Sequence, residues 1–240
     1  MPDYSTLLQA AKEAALAAGT LLKTQRQALS KAHQVMPHDL KTEADQAAER
    51  LIRSKLEPLG IPVIGEEYGG DTTLLFKDEL YWAIDPLDGT INYMHNIPLS
   101  SVSIALMRGQ TGVLGVLNLF GLDELYEGGE GLGVRRNGVE INPEYIDDTT
   151  KHILGVSDAT IRDGKATELS KQCLAIRNMG ACTIELAMII SARMGSYYAS
   201  FSSVWDFGAA FALIRELGYK TQVAYLRNFT FQISASREKA

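Results

Sequence analysis

Three β-rich runs follow one another between Ser101 and Tyr126 with very little chain between them. They are Ser101–Met107, Gly112–Leu119 and Glu124–Tyr126, joined by Arg108-Gly109-Gln110 and by a turn at Gly121-Leu122-Asp123. Connections this short join only antiparallel neighbours, because a parallel partner needs a crossover of about a dozen residues or more. The region therefore predicts an antiparallel meander. Residues 128–138 are rich in glycine and close on Asn137-Gly138, a strong hairpin signal that extends the meander.

Helical periodicity surrounds this core. The first thirty residues read as one amphipathic helix, with Leu7, Ala11, Ala14, Ala18 and Leu22 on one face. The small alanines predict close packing against another helix. A break follows at Met36-Pro37-His38-Asp39, since proline disfavours the helical state of the residue before it. A second helix begins near Thr42, where Thr42-x-x-Asp45 makes a relaxed capping box ahead of Ala47, Ala48, Leu51, Ile52 and Leu56. Pro62–Gly65, Tyr81–Ile84, Ile153–Val156 and Tyr197–Phe201 predict strands, and Thr183–Met194 and Val204–Leu217 predict helices. The tail from Tyr219 has β-like content and ends in a charged, frayed terminus.

These patterns predict a layered α+β fold. It is expected to form one unit over residues 1–240, with most of the acids in an N-terminal half (1–140) and Asp206 supplied by a C-terminal half (141–240). With 240 residues, 46% hydrophobic and 22% charged, the chain can bury a sizeable core without disulfides, and disorder is excluded as its main content. The net charge of −6 argues against broad binding to nucleic acid or an anionic membrane. Cys173 and Cys182 are too few for a disulfide framework and read as buried thiols in a reducing compartment. No apolar run reaches the ~18 residues of a membrane span, and the first residues lack the pattern of a secretory signal, so a cytoplasmic protein is expected. His33, His38, His95 and His152 have no metal-ligand spacing and read as surface or loop residues.

Two of the predicted strands end in acid. Pro62–Gly65 runs into Glu66-Glu67, and Tyr81–Ile84 runs into Asp85-Pro86-Leu87-Asp88-Gly89-Thr90. Clustered carboxylates and a backbone carbonyl are the oxygen donors that Mg²⁺ prefers. An amide at Gly89 or Thr90 can receive a phosphate oxygen at a helix start. Taken singly, each piece also reads as ordinary structure. Asp-x-x-Asp-Gly-Thr is a polar turn, Glu66-Glu67 a loop pair, and Asp45 and Asp206 first-turn helix acids. Two rival motifs fail on spacing. An EF-hand needs acids at alternate positions, and an aspartate-nucleophile phosphatase needs its two acids two residues apart rather than three.

Taken together, the pieces resemble the inositol monophosphatase family of Mg²⁺-dependent, lithium-sensitive phosphatases. The matching segments are Asp39-Leu40-Lys41-Thr42-Glu43-Ala44-Asp45, Gly65-Glu66-Glu67, Trp82 through Tyr93, Pro98 through Leu106, Gly131-Leu132-Gly133 with Asn137-Gly138, and Val204-Trp205-Asp206-Phe207-Gly208-Ala209-Ala210. They occur in family order.

The resemblance implies an αβαβα sandwich and, usually, a homodimer. It implies that Glu66, Asp85 and the Leu87 carbonyl hold a first metal ion, and that Asp85, Asp88 and Asp206 hold a second. Asp45 would hydrogen-bond Thr90 and help polarise the attacking water, with Glu66 part of the same catalytic group. The Gly89 and Thr90 amides would bind phosphate. Glu67 would support the cluster or a third, weaker ion, giving two or three Mg²⁺ in all. The substrate implied is a small phosphorylated metabolite, namely an inositol phosphate or, on the same fold, 3′-phosphoadenosine 5′-phosphate, fructose 1,6-bisphosphate, histidinol phosphate or NADP. A non-catalytic regulatory protein is the alternative of another class. The chain departs from the family seven residues before Asp206, where Ala199 stands in place of a glutamate that contacts substrate hydroxyls. Alanine there predicts room for a different leaving group. Cys182 stands where a small residue near the substrate is usual, and no match is found after Tyr219.

Overall fold

The computed structural model describes residues 3–29, 32–36, 39–142, 153–227 and 230–239. Helix α1 (Tyr4–Thr24) starts at an Asp3 cap and ends at Gln25, so the predicted thirty-residue helix divides into α1 and a single turn, α2 (Arg26–Leu29). A hairpin of β1 (Ala32–Met36) and β2 (Asp39–Thr42) follows where only a break was expected. Residues 37 and 38, on which that break was centred, lie outside the described residues. Helix α3 (Glu43–Leu56) then begins at Thr42.

Seven strands form the larger sheet. They are β3 (Val63–Gly65), β4 (Leu80–Asp88), β5 (Ser101–Arg108), β6 (Thr111–Leu119), β7 (Glu124–Gly129), β8 (Gly133–Arg136) and β9 (Val139–Glu140), in that spatial order. Every pairing from β4 to β9 is antiparallel, as the short turns require. Only β3 is parallel to its neighbour. A five-residue helix, α4 (Thr90–Met94), leaves the end of β4.

The second sheet has the order β11-β10-β12-β14-β13. It comprises β10 (Ile153–Val156), β11 (Ala175–Arg177), β12 (Ser196–Ser202), β13 (Tyr219–Arg227) and β14 (Thr230–Lys239). The C-terminal segment is thus a paired strand reaching Lys239 opposite Tyr219, not a frayed end. Helices α5 (Asp158–Arg162) and α6 (Lys165–Leu169) were not foreseen, and neither was β11. Helix α7 (Cys182–Ile190) stops earlier than expected, with Ala192 in the left-handed region, and α8 (Val204–Glu216) matches its prediction.

The layers follow from which faces are apolar. Helices α1 and α3 pack on each other and on the outer face of the larger sheet, with Leu7, Ala11, Ala14, Ala18 and Leu22 all buried. Helices α7 and α8 are buried on nearly every side and lie between the two sheets. Helix α5 covers the far side of the smaller sheet against β12. The order helix, sheet, helix, sheet, helix is the expected αβαβα arrangement. Among the described residues no helix is long and apolar enough to cross a membrane.

Candidate functional site

The acids meet where the C-terminal end of β4 faces the N-termini of α7 and α8. A cleft of about 490 Å³ opens there, within the range of small-ligand sites. Glu66, Asp85, Asp88 and Asp206 line it, beside Leu87, Gly89 and Thr90. Asp45 and Glu67 stand behind these residues rather than on the lining.

Each carboxylate is aimed by its own local structure. Asp45 is the N3 residue of α3, and its Oδ2 accepts from the Thr42 backbone N–H at 2.7 Å and from the Thr42 hydroxyl at 2.6 Å. The Thr42 oxygen in turn accepts from Ala44 N–H, which completes the reciprocal cap. Asp45 Oδ1 then accepts from Thr90 Oγ1 at 3.0 Å, and the same hydroxyl lies 3.0 Å from the Leu87 carbonyl. Asp206 is the N3 residue of α8, where its Oδ2 accepts from Ser203 N–H at 2.7 Å and from Ser202 Oγ at 3.0 Å. Asp85 Oδ1 accepts from Leu87 N–H at 2.9 Å, and Asp88 Oδ2 accepts from Thr183 N–H at 2.7 Å and from the Thr183 hydroxyl.

Two glycines are fixed by this geometry. Gly89 has φ +83°, and a Cβ there would stand 2.7 Å from the Leu99 carbonyl. A Cβ on Gly65 would fall 2.1 Å from Glu49 Oε1. Glu49 is fully buried, and its carboxylate accepts from the backbone N–H of Glu67 (2.7 Å) and Tyr68 (3.2 Å) and from Arg53 Nε (2.8 Å). It therefore shapes the loop that presents Glu66. The sequence reading missed it, although the signal was present. Asp45, Glu49, Ile52 and Leu56 step by four, three and four, which puts an acid on the buried stripe of α3.

Burial and mutual repulsion dominate the electrostatics. Desolvation pushes Glu66 well above the usual carboxylate range, the charge of Asp206 adds to it, and Lys41 opposes it. Asp85 is likewise raised by burial and then by Glu66, Asp88 and Asp206. Burial also raises Asp45 and Asp88, against hydrogen bonds from Thr42 and from Thr183. Glu67 is paired with the Lys41 ammonium at 2.6 Å. Glu185 is 1% exposed, lines the cleft and accepts from Met179 N–H at 2.8 Å. Its burial pushes it up to about 9.

Among the described residues, no three acid, histidine or cysteine side chains are drawn together as a finished cation cage. The donor chemistry nonetheless fits divalent ions. Glu66, Asp85, Asp88 and Asp206 line one cleft with the Leu87 backbone beside them, all hard oxygen donors, and burial disfavours the bare charges of Glu66, Asp85 and Asp88.

Several expectations are corrected here. Neither cysteine is buried, and Cys182, the first residue of α7, lines the cleft. Trp205 is half-buried rather than fully interior, packed against the core, and its carbonyl accepts from Ser103. Ala199 does not open room in the cleft. It is 1% exposed, faces the core and is absent from the lining. His95 is exposed as expected, while the expectation for His33, His38 and His152 falls outside the described side chains.

Comparison with known proteins agrees with this geometry. A profile of the inositol monophosphatase family matches residues 3–235. The chain is 30% identical over 196 residues to inositol-1-monophosphatase SuhB of Mycobacterium tuberculosis, covering 76% of this chain and 68% of that one. It is 31% identical over 194 residues to inositol monophosphatase 1 of Solanum lycopersicum, covering 75% and 70%. The solved inositol monophosphatase of Anabaena (Nostoc) sp. PCC 7120 superposes with a TM-score of 0.81 at 29% identity, covering 98% of this chain and 92% of that one. The chain belongs to the inositol monophosphatase family, and it is a phosphoric monoester hydrolase of that metal-dependent kind.

Proposed function

We propose that this protein hydrolyses a small phosphate monoester with Mg²⁺ as its cofactor, and that residues 1–240 act as one unit because the cleft takes acids from both halves of the chain. The observation that carries the reading is the convergence of Glu66, Asp85, Asp88 and Asp206 on one cleft next to Gly89 and Thr90. Glu66, Asp85 and the Leu87 carbonyl would hold one ion, and Asp85, Asp88 and Asp206 a second. When bound, such ions neutralise charge on the phosphoryl group and make water a better nucleophile, the main levers for this reaction.

The chain's own residues do the rest. The Gly89 and Thr90 amides at the start of α4 hold the phosphate oxygens. Thr90 Oγ1, fixed between Asp45 and the Leu87 carbonyl, orients the attacking water, and Asp45 takes up the proton demand through that hydroxyl. Thr183 keeps Asp88 in place from the opposite side of the cleft. Glu67, paired with Lys41, supports the Glu66 loop. In this reading the protein works in the cytoplasm as a homodimer and is inhibited by lithium, supported by the family relationship, the acidic net charge and the sparse cysteines.

The test is phosphate release from a panel of inositol, sugar and nucleotide monophosphates, with Mg²⁺ and with EDTA. Turnover that requires Mg²⁺ is expected. Turnover unchanged in EDTA, or none on any compound, would overturn the reading.

A further inference from the structure

The turn that presents Glu66 carries a second acid. It is closed by Gly65 and Gly69, whose backbone amides donate to each other's carbonyls at 3.1 and 3.0 Å. Glu66 lines the cleft, while the next side chain, Glu67, is absent from the lining and only 3% exposed. A carboxylate withdrawn from water in this way needs a counter-charge. Its charge also adds to the repulsion at Glu66.

Of the cations at this turn, Arg53 donates to Glu49 Oε1 at 2.8 Å and to the Gly69 carbonyl at 2.6 Å, and Arg50 donates to the Tyr68 hydroxyl. Lys41 is the cation on Glu67. Its Nζ stands 2.6 Å from Glu67 Oε1 and 3.5 Å from the Glu66 carbonyl oxygen, and its side chain is 19% exposed. The place of Lys41 has a local cause. Its backbone pairs with Gln34 across the β1–β2 hairpin, and it directly precedes Thr42, the cap of α3. The bonds between Thr42 and Asp45 that aim Asp45 at Thr90 therefore also fix where the ammonium arrives.

Carboxylate oxygens are the donors a divalent ion takes, and an ammonium is a compact point charge that satisfies the same carboxylate without one. A metal ion coming to Glu67 would have to displace the ammonium or lie against a like charge. We propose that Lys41 is a resident counter-ion that closes Glu67 to metal and confines divalent ions to the acids lining the cleft. This rests on the metal-dependent reading above and deepens it by stating which acid of the group is not a ligand.

The experiment titrates Mn²⁺, which suits the same oxygen donors as Mg²⁺, into the metal-free protein and counts bound ions from the electron paramagnetic resonance signal of the free ion. Wild type, Lys41→Met, Lys41→Arg and the double variant Lys41→Met with Glu67→Gln are compared. Lys41→Met is expected to bind one ion more per chain than wild type. Lys41→Arg, which keeps the charge, and the double variant, which removes both charges, should return to the wild-type count. An unchanged count in Lys41→Met overturns the proposal. So does an extra ion that also appears in Lys41→Arg or persists in the double variant, because it then sits elsewhere. Lys41→Gln, also uncharged, repeats the test if Lys41→Met does not fold. If the wild type takes up no Mn²⁺, the metal-dependent reading fails separately, and the difference between wild type and Lys41→Met still decides on Lys41.

Discussion

On one side of the cleft stand the acids at the ends of β3 and β4 and in the first turns of α3 and α8, and on the other a bulged strand and a five-residue helix. Asp45 and Asp206 are both N3 residues that accept the backbone N–H three positions earlier, at 2.7 Å in each case. That bond satisfies a donor the helix leaves unpaired and fixes the carboxylate's direction with one short stretch of chain. These two carboxylates are thereby aimed locally, while Asp88 is held across the cleft by Thr183, 95 residues further along the chain. The facing side depends on where β12 shifts register against β14, and its large residues stand exposed. The difference teaches that the acids are aimed by short hydrogen-bonded motifs and the facing wall by a long-range strand pairing, and that the two meet at Ser202, which donates to Asp206 Oδ2 at 3.0 Å.

The comparison predicts that the acid side is intolerant. Gly65→Ala forces a Cβ into the Glu49 carboxylate, 2.1 Å from Oε1. It should cost about 1–3 kcal/mol of stability, as overpacking does, and also lower Mg²⁺-dependent turnover. Glu49→Gln keeps the volume but weakens the hold on the Glu66 loop, and about a 10–100-fold loss of activity or metal affinity is expected, as for other residues that orient metal ligands. Thermal unfolding and phosphate release at saturating Mg²⁺ check both. If Glu49→Gln proves as mild as a surface substitution, the contrast between the two sides collapses.

A smaller effect should appear in the pH dependence of the metal-free protein. Glu66, Asp85 and Asp88 are held above their ordinary values chiefly by burial. The folded state therefore keeps protons that the unfolded chain has already released, so stability falls as pH rises. The fall begins near the ordinary carboxylate value of about 4, and for Glu185 it continues to about 9. In EDTA, Tm should be lower at pH 8 than at pH 5.5, by about 2–4 °C for each kcal/mol. Mg²⁺ should restore it more at pH 8. A Tm that rises over this range in EDTA would contradict the assignment of the acids as a repelling buried group.

How much of this was legible in the sequence follows the same division. The meander was readable because turn length alone forbids parallel pairing. Thr42-x-x-Asp45 announced its cap, and the acids at the end of β4 stood out against an apolar strand. Glu49 was visible only to a reader who asked why a charge sits on the buried stripe of α3. Helices α5 and α6 are five residues each, too short to show a helical period. The Thr183–Asp88 hydrogen bond joins residues 95 positions apart and leaves no local trace. Ala199 could be seen to lack a carboxylate, but only the register shift in β12 shows that it faces the core and that Phe201 faces the cleft.

The most direct test of the central claim is a calorimetric Mg²⁺ titration of the metal-free protein, with phosphate release measured at each point, for wild type and Asp88→Asn. In the wild type, binding and turnover should rise together. Asp88→Asn should lose turnover and the Mg²⁺ binding that accompanies it, while its Tm in EDTA is no lower than that of the wild type, because one repelling buried charge is gone. Undiminished turnover in Asp88→Asn at saturating Mg²⁺, or turnover in the wild type that ignores Mg²⁺, would contradict the account.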